Sequence, residues 1–294
     1  MGQRCAWVLN FDAERELAST VGYRTATAQM RARMLVLEER VVDLLLVAPG
    51  DAVIRSGTRL DGDFVGRAWC PTPWALACMG RAGARVPDAP ALDVLRRVNA
   101  RRFSSALGQT LPGAAHAVSV ADVERVVRGG GDWLLKRAFG FAGRGRRKVR
   151  GAGLDSDDVA WIARGLREGE GLQVEPWVAI ELDVALHGHV DREGVFVLGA
   201  PTVQRCDASG SWLSSERAGA RALADDARAA LESEGARVAG ALAGAGYFGP
   251  FGVDAYLWRD AAGAQHFNPR GEINARYTMA WALGMGERRD PRVA

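Results

Sequence analysis

The chain carries the stretch Gly246-Tyr-Phe-Gly249-Pro-Phe-Gly-Val-Asp254, and 18 residues beyond Asp254 it continues as Glu272-Ile-Asn274-Ala-Arg276. The segment Tyr247–Trp258 is rich in aromatic and β-branched residues, which predicts a strand. Ala264–Asn274 follows a short turn and is predicted to return alongside it as the second strand of a hairpin. This hairpin decides the architecture of the C-terminal half.

The two strands of the hairpin predict a metal site. Alternation places Glu272 and Asn274 on one face of their strand, whereas the apolar Val253 and Ile273 belong to the opposite face. Together with Asp254, they offer two carboxylates and an amide oxygen, a set of hard oxygen ligands suited to Mg²⁺. The alternative is ordinary polar pairing across an exposed sheet face.

A competing register of the hairpin uses His266-Phe-Asn268-Pro-Arg270 instead. We reject it as the main interpretation because it puts a histidine where Mg²⁺ prefers a carboxylate. Asn268 and Arg270 share strand parity with Glu272, but the proline and glycine around Arg270 leave open whether these two side chains join the site.

A second motif is a lysine followed by a glycine-rich loop, Lys136-Arg-Ala-Phe-Gly140-Phe-Ala-Gly143-Arg-Gly145. Glycines let backbone amides approach phosphate oxygens, and the lysine adds a compact positive charge. The motif is not a P-loop, because its lysine precedes the glycines. Only Lys136 and Lys148 are lysines among the 38 basic Lys and Arg residues, which favours a specific need for an ammonium at Lys136. The alternative is a basic surface hairpin.

A third segment combines the linker Glu175-Pro176-Trp177-Val178 with Glu181. An extended linker after a strand exposes backbone groups suited to an adenine edge, and a nearby carboxylate can accept hydrogen bonds from ribose hydroxyls. Taken alone, the more ordinary interpretation of Glu181 is a solvated carboxylate on a sheet edge.

The N-terminal part predicts a small parallel α/β domain. Residues 5–10 are predicted as a strand, 25–43 as a helix by apolar spacings of three and four, and 44–47 as a second strand. Further along, 91–103 is predicted as a helix, 195–203 as a strand, and about 218–245 as a long helix. No repeat of 20–50 residues is visible.

Composition limits the classes of protein that the chain can belong to. With 294 residues, 48% hydrophobic and 25% charged, a disordered or fibrous protein is excluded. A net charge of +3 is too small to indicate a nucleic acid or a membrane surface as partner. We predict no transmembrane span and no export segment, and the four scattered cysteines indicate neither a disulfide framework nor a zinc site. The expected location is the cytoplasm.

In their order along the chain, the three motifs resemble the ATP-grasp superfamily, over roughly residues 98–286. Residues 1–97 resemble the small domain that commonly precedes it. The resemblance implies a mixed α/β and α+β fold: an N-terminal parallel α/β domain (1–97), then an ATP-grasp module of two α+β subdomains (98–178 and 179–294) that hold ATP between them.

The resemblance also assigns roles to individual positions. It implies that the phosphates are bound by Lys136 under the loop glycines Gly140, Gly143 and Gly145, that adenine is bound by Glu175, Pro176, Trp177 and Val178, and that ribose is bound by Glu181. It implies Mg²⁺ (or Mn²⁺) on Asp254, Glu272 and Asn274, and catalytic cations at Arg276 and, near the end of the strand predicted over 195–203, Arg205. At the entry of the module, where relatives offer a lysine to the nucleotide, this chain has Arg101-Arg102, and Arg102 is the residue we assign.

The implied function is an ATP- and Mg²⁺-dependent ligase that joins a carboxylate to an amine or thiol through an acyl phosphate, releasing ADP and phosphate. The expected partners are a small carboxylate and an amine, and a homodimer is compatible with the resemblance. Two alternatives stay open: an ATP-grasp kinase that stops after phosphorylation, and a non-catalytic nucleotide-binding module.

Overall fold

A computed structural model describes residues 3–19, 27–43, 47–140, 145–151, 153–207, 212–219 and 221–286. Within these ranges the chain forms three sheets: a parallel sheet of three strands near the N-terminus, an antiparallel sheet of four strands, and a larger antiparallel sheet of six. The prediction of a parallel α/β domain followed by antiparallel α+β structure is confirmed.

The first sheet has the order β2-β1-β3. Its elements are β1 (Cys5–Val8), α1 (Ala13–Leu17), α2 (Ala28–Asp43), β2 (Ala52–Val53), β3 (Val65–Ala68) and α3 (Pro73–Ala82). The second strand was expected at 44–47. Residues 44–46 lie outside the described residues, Val47 is not in a strand, and the strand paired with β1 is Ala52–Val53.

Two helices replace the single one predicted over 91–103. They are α4 (Leu92–Asn99) and α5 (Arg101–Ala106), separated by Ala100, whose backbone is extended at φ −73° and ψ 137°. The periodicity of apolar residues is compatible with one helix, but Ala275 lies against this point: its amide donates to the Asn99 side chain over 2.9 Å. The break turns the arginine that follows it inward, which matters for the site.

The four-stranded sheet has the order β4-β7-β5-β6. Its elements are β4 (Ala115–Ala117), α6 (Val120–Val127), β5 (Asp132–Arg137), β6 (Arg146–Arg150), α7 (Ser156–Leu166) and β7 (Leu172–Pro176). Helix α6 begins with a Ser119 cap, and α7 with a capping box formed by Asp155 and Asp158. Apolar residues of both helices pack against one face of the sheet. The shared cluster includes Ile162 of α7, Leu135 of β5 and Val174 of β7.

The six-stranded sheet has the order β11-β10-β8-β12-β13, with β9 also pairing with β8. Its elements are β8 (Ala179–Val190), β9 (Phe196–Leu198), β10 (Thr202–Cys206), β11 (Trp212–Arg217), α8 (Asp225–Gly244), β12 (Gly249–Arg259), β13 (Gln265–Asn274) and α9 (Trp281–Met285). The strand predicted over 195–203 is two strands, β9 and β10, interrupted by Gly199-Ala-Pro201. Helix α8 begins at Asp225, seven residues later than the predicted start near 218.

The elements from β1 to α3, called the first module below, and the six-stranded sheet share one hydrophobic core. Trp7, Phe11 and Trp69 from the first module belong to the same cluster of buried side chains as Val253 and Ile273 of the hairpin. This packing brings helix α1 next to the C-terminal end of β13. The domain boundaries after residues 97 and 178 remain predictions. No helix in the described ranges combines the length and the hydropathy needed to cross a bilayer.

Candidate active site

The four-stranded sheet contributes a lysine at the end of β5. Lys136 is 9% exposed, and its Nζ lies 2.5 Å from Oε2 of Glu175 on the neighbouring strand β7. Strand β5 is apolar before Lys136 and ends at Arg137, where the glycine-rich segment begins. The lysine is therefore held in a fixed place by a buried ion pair, at the base of the loop.

The hairpin contributes the carboxylates. Asp254 on β12 lies directly opposite Glu272 on β13, which confirms the register predicted from the sequence. The Asn274 side chain donates to Asp254 Oδ2 over 3.0 Å, and Gln204 of β10 donates to Asp254 Oδ1 over 3.1 Å. Two carboxylates and an amide thus meet on one face, while Val253 and Ile273 enter the core on the other.

Arg101 connects the two sheets. Its Nε donates to the Arg137 carbonyl at the end of β5 over 3.0 Å, and its Nη2 lies 3.0 Å from Glu272 Oε1 on the hairpin. The side chain is 8% exposed, whereas the adjacent Arg102 is exposed to solvent. Of the arginine pair at this entry, the structure therefore brings Arg101 to the site, although Arg102 was the residue assigned from the sequence.

The electrostatics of the hairpin show how crowded its negative charge is. Burial, and then the nearby Glu272 carboxylate, raise the pKa of Asp254 to about 6. Burial alone would also raise the pKa of Glu272, but the charges of Arg101, Lys136 and Arg276 outweigh it, and the net shift is downward. The contacts of Arg101 with the Arg137 carbonyl and with Glu272 bring the two sheets together here. A divalent cation would relieve the repulsion between the two carboxylates.

Arg276 follows the hairpin and points to the first module. Its Nε and Nη2 lie 2.6 and 2.5 Å from Glu14 Oε1 on helix α1, and its guanidinium carbon lies 5.8 Å from the centre of the Trp69 ring. Burial acts against its charge, but Glu14 beside it gives a net rise in the pKa of Arg276. Helix α1 therefore forms one wall of the site.

The linker residues after β7 divide into buried and exposed groups. Glu175 is buried, Pro176 and Val178 are half-buried, and Trp177 is 50% exposed, with its amide donating to the Asp132 carbonyl over 2.8 Å. Lys148 Nζ lies 4.3 Å from the centre of the Trp177 ring. The extended stretch is thus anchored to β5 and partly open to solvent.

Glu181 lies away from the carboxylates of the hairpin. It is exposed and paired with Arg259 at 2.7 Å, and it also accepts from Gln265 over 2.7 Å. Asp183, two residues further along β8, is half-buried and pairs in register with Tyr256 and Gln204. Burial raises its pKa against the effect of Arg146. Asp183 is a second carboxylate on this strand, nearer to Asp254, that the motif reasoning did not single out.

The remaining predicted residues fall outside this cluster. Arg205 is exposed on β10, and alternation places it on the face opposite Gln204, whose amide contacts Asp254. Gly140 and Gly145 are the described glycines of the glycine-rich motif, and Gly145 has φ +73°. The backbone amide of Arg137 donates to the Gly145 carbonyl over 2.8 Å. Gly143 lies outside the described residues.

The competing hairpin register is wrong, because Asp254 pairs with Glu272 and His266 pairs with Trp258. A bulge in β13 separates the two sets of residues. Between the pairs Asp254–Glu272 and Tyr256–Asn268, β13 has two more residues than β12, so Pro269–Gly271 bulge out. Arg270 consequently turns to Glu234 at 3.1 Å and to the carbonyls of Ser104 and Gly108. Asn268 stays buried beside Tyr256. His266 is exposed at the far end, near Trp258.

No family model matches the sequence, and no curated protein sequence matches it. Solved structures do. The chain is similar to the biotin carboxylase–β,γ-ATP complex of Campylobacter jejuni, with 15% identity, TM-score 0.55, and coverage of 97% of this chain and 62% of that one. It is similar to D-alanyl-alanine synthetase A of Vibrio cholerae O1, with 13% identity, TM-score 0.54, and coverage of 97% and 92%. The chain has the ATP-grasp fold.

A third solved structure similar to this chain is that of Rhizobium etli pyruvate carboxylase, at 17% identity and TM-score 0.54. The alignment covers 97% of this chain but 27% of that one, so the chain spans about a quarter of that enzyme. At these identities the likeness concerns the fold. The roles of individual residues rest on the geometry described above.

Three residues of the site were missed by sequence reasoning. Gln204 and Glu14 reach it through tertiary contacts from distant segments, and nothing in the local sequence marks them. Asp183 could have been found, because strand alternation places it on the same face as Glu181.

Proposed function

We propose that this protein is an ATP- and Mg²⁺-dependent ligase that activates a carboxylate as an acyl phosphate and transfers it to an amine or thiol. The observation that carries the proposal is the meeting of two sheets at one point. Arg101 donates to the carbonyl of Arg137 on the small sheet, next to Lys136, and pairs with Glu272 on the large sheet at 3.0 Å. Cations and carboxylates arranged in this way suit a polyphosphate with its metal.

Asp254, Glu272 and Asn274 fit a magnesium ion. They supply two carboxylates and a side-chain amide, which are hard oxygen donors, and Mg²⁺ readily completes such a set with water and phosphate oxygens. In the part of the chain that the structure describes, no three His, Cys, Asp or Glu residues cluster to hold a metal by themselves. When bound, the ion would neutralise charge on the phosphates. A similar ion such as Mn²⁺ suits the same donors.

The chain's own residues then have positioning and electrostatic roles. Lys136 and Arg101 neutralise phosphate charge, Gly140 and Gly145 let backbone amides approach the phosphates, and the linker 175–178 receives the adenine. Arg276 faces the substrate carboxylate. The γ-phosphoryl group passes to that carboxylate, the nucleophile attacks the acyl carbon, and phosphate leaves. Exclusion of water protects the acyl phosphate from hydrolysis.

The test is an isotope transfer experiment with Mg²⁺-ATP, a panel of carboxylic acids and a panel of amines. A ligase releases ADP and phosphate only when both substrates are present, and one ¹⁸O of a labelled carboxylate appears in the phosphate. The Glu272→Gln variant serves as the inactive control. ADP formation with a stable phosphorylated product and no released phosphate would instead identify a kinase. Binding of ATP without turnover by any pair would identify a nucleotide-binding module.

A further inference from the structure

Helix α2 has two faces that differ in burial. Its inner face, with Met34 and Val41, packs against the core that the first module shares with the large sheet. On its outer face, Leu35 is 54% exposed and Val36 is 53% exposed. A single exposed apolar residue is common on any protein and indicates nothing by itself. The charged residues around this pair decide what the outer face can bind.

Two charged residues of the outer face are available to a partner. Arg33 and Glu39 are both exposed, and among the described residues neither side chain forms an ion pair or a hydrogen bond. The neighbouring Glu38, in contrast, is engaged within the chain, because it pairs with Arg55. The outer face of α2 therefore offers one cation and one anion beside two exposed apolar side chains.

The positions of these charges are symmetric about Val36. Arg33 precedes Val36 by three residues and Glu39 follows it by three, so each charge is a neighbour of Val36 on the helix surface. If two such helices cross antiparallel at Val36, Arg33 of each subunit lies opposite Glu39 of the partner subunit. A copy of the same helix thus meets both charges at once, because a two-fold axis through Val36 produces the same ion pair twice.

The surface extends beyond the helix to the edge of a sheet. Strand β11 is the outer strand of the six-stranded sheet, and it lies beside the C-terminal half of α2. Arg40 Nη1 donates to the Leu213 carbonyl over 3.2 Å, and its guanidinium carbon lies 5.8 Å from the centre of the Trp212 ring. Leu213 is itself 48% exposed. This extension matters because specific protein interfaces bury about 1,200 Å² or more in total, which is more than one short helix supplies.

We propose that the outer face of α2 and the adjacent strand β11 form the interface of a symmetric homodimer, in which Arg33 of each subunit pairs with Glu39 of the partner subunit. The inference does not depend on the proposed function, since none of these residues belongs to the candidate active site. Exposed ion pairs contribute little free energy each. The apolar side chains therefore stabilise the dimer, and the charges determine its antiparallel orientation.

Sedimentation velocity of the full chain, over a range of about 1–100 µM, measures the dimer directly. We expect the wild type to show an equilibrium between monomer and dimer. Arg33→Glu and Glu39→Arg each turn two attractive contacts into two repulsive ones, so each should raise the dissociation constant by about tenfold or more. The double variant Arg33→Glu/Glu39→Arg restores opposite charges at both contacts, and its constant should return to within about threefold of the wild-type value.

Two further variants locate the contact. Val36→Asp puts a charge at the centre of the interface and should abolish the dimer. Val118→Asp is the matched control, because Val118 is 71% exposed and precedes α6 beside the four-stranded sheet, and it should leave the dissociation constant unchanged. All the substituted side chains are exposed, and circular dichroism checks that each variant is folded.

Three outcomes would refute the inference. One is a wild type that stays monomeric at about 100 µM. Another is a dimer that neither charge swap nor Val36→Asp weakens, since it would use a different surface. The third is a double variant as weak as the single ones, because Arg33 and Glu39 would then not face each other across the two-fold axis.

Discussion

Lys136 and Lys148 are the two lysines of the chain, and their surroundings differ in a way that predicts different mutational effects. Lys136 is buried and paired with Glu175, whereas the Lys148 side chain is 43% exposed and paired with Asp132 at 2.7 Å. A guanidinium is larger and planar, so it cannot replace the compact ammonium in this buried ion pair without displacing its neighbours. Lys136→Arg should therefore reduce kcat/KM for ATP by about tenfold or more, equivalent to about 1.4 kcal/mol.

Lys148→Arg is the matched control for this variant. Arginine keeps both the contact with Asp132 and the stacking over Trp177, so ATP kinetics should change by less than about twofold. Both variants are compared by steady-state ATP turnover. Small and equal effects at the two positions would show that Lys136 is a structural lysine and that the phosphates bind elsewhere.

The paired carboxylates predict a strong effect of charge removal. Asp254→Asn and Glu272→Gln each keep the side-chain shape and remove one charge from the metal site, so ATP turnover should fall by about 100-fold or more. The fold should persist, because neither residue enters the hydrophobic core; circular dichroism and thermal unfolding check this. His266→Ala, at the exposed end of the same hairpin, should leave turnover nearly unchanged. The reverse result, an active Glu272→Gln and an inactive His266→Ala, would contradict our assignment of the metal site.

The hairpin and Lys136 could be predicted because their signals are local. A strand fixes which face Glu272 and Asn274 share. The preference of Mg²⁺ for a carboxylate over a histidine then favours the register that places Glu272, and not His266, opposite Asp254. Arg101, Gln204 and Glu14 depend instead on where distant elements pack. Glu14 and Arg276 are 262 residues apart in the chain, so no pattern within either segment reveals their contact.

At the scale of elements, the interruptions were the hardest features to predict. Ala100 separates α4 from α5, yet alanine is the best helix former, so the break has a tertiary origin in the Asn99–Ala275 contact. The bulge at Pro269–Gly271 has a local signal, because proline cannot donate to a strand ladder and glycine often marks a bulge. Its length of two extra residues, and hence the direction of Arg270, depends on Glu234 of α8.

Helix α8 packs closely on the large sheet at one glycine, and this predicts a contrast within the helix. A Cβ at Gly235 would lie 2.5 Å from Leu186 Cδ2 in the core, whereas at Gly240 no atom lies within 4 Å. Gly240→Ala should stabilise the protein by about 0.5–1 kcal/mol through helix propensity alone. Gly235→Ala gains the same propensity but overpacks the core, so its free energy of unfolding should be about 1–3 kcal/mol lower than that of Gly240→Ala.

Urea unfolding at one pH measures both glycine variants. If Gly235→Ala is as stable as Gly240→Ala, Leu186 adopts another rotamer without loss of packing, and the contact between α8 and β8 is looser than the structure shows.

At the scale of the whole molecule, one core unites the first module with the large sheet. Trp7 packs edge-on against Tyr277 at a centroid distance of 5.2 Å, and Tyr277 in turn packs against Trp281 at 4.9 Å. Tyr277 follows Arg276 directly, so the same contact that joins the modules fixes the direction of the arginine in the site. A wall formed by α1 is therefore a consequence of how the core is built.

His187 is the buried group that most directly couples this architecture to pH. It lies on β8 with Nε2 3.0 Å from the Thr202 hydroxyl and Nδ1 2.9 Å from the Thr278 hydroxyl, joining β8 to β10 and to the segment before α9. Hydroxyls can serve both the donor and the acceptor nitrogen of a neutral imidazole, and among the described residues no carboxylate bonds to it. Burial lowers the pKa of His187 to about 3.

This lowered pKa predicts a loss of stability in acid. An unfolded histidine has a pKa of about 6.5, so below that pH the unfolded chain takes up a proton that folded His187 does not. Its contribution is fully present above pH 6.5 and is lost as the pH falls toward 3; between pH 7 and pH 5 the loss is about 2 kcal/mol. Urea unfolding at both pH values should show it in the wild type and not in His187→Gln. Other titrating groups are common to both proteins, so the difference isolates His187. His266→Gln, on the exposed hairpin end, should keep the wild-type dependence, and an unchanged dependence in His187→Gln would mean that His187 can be protonated within the fold.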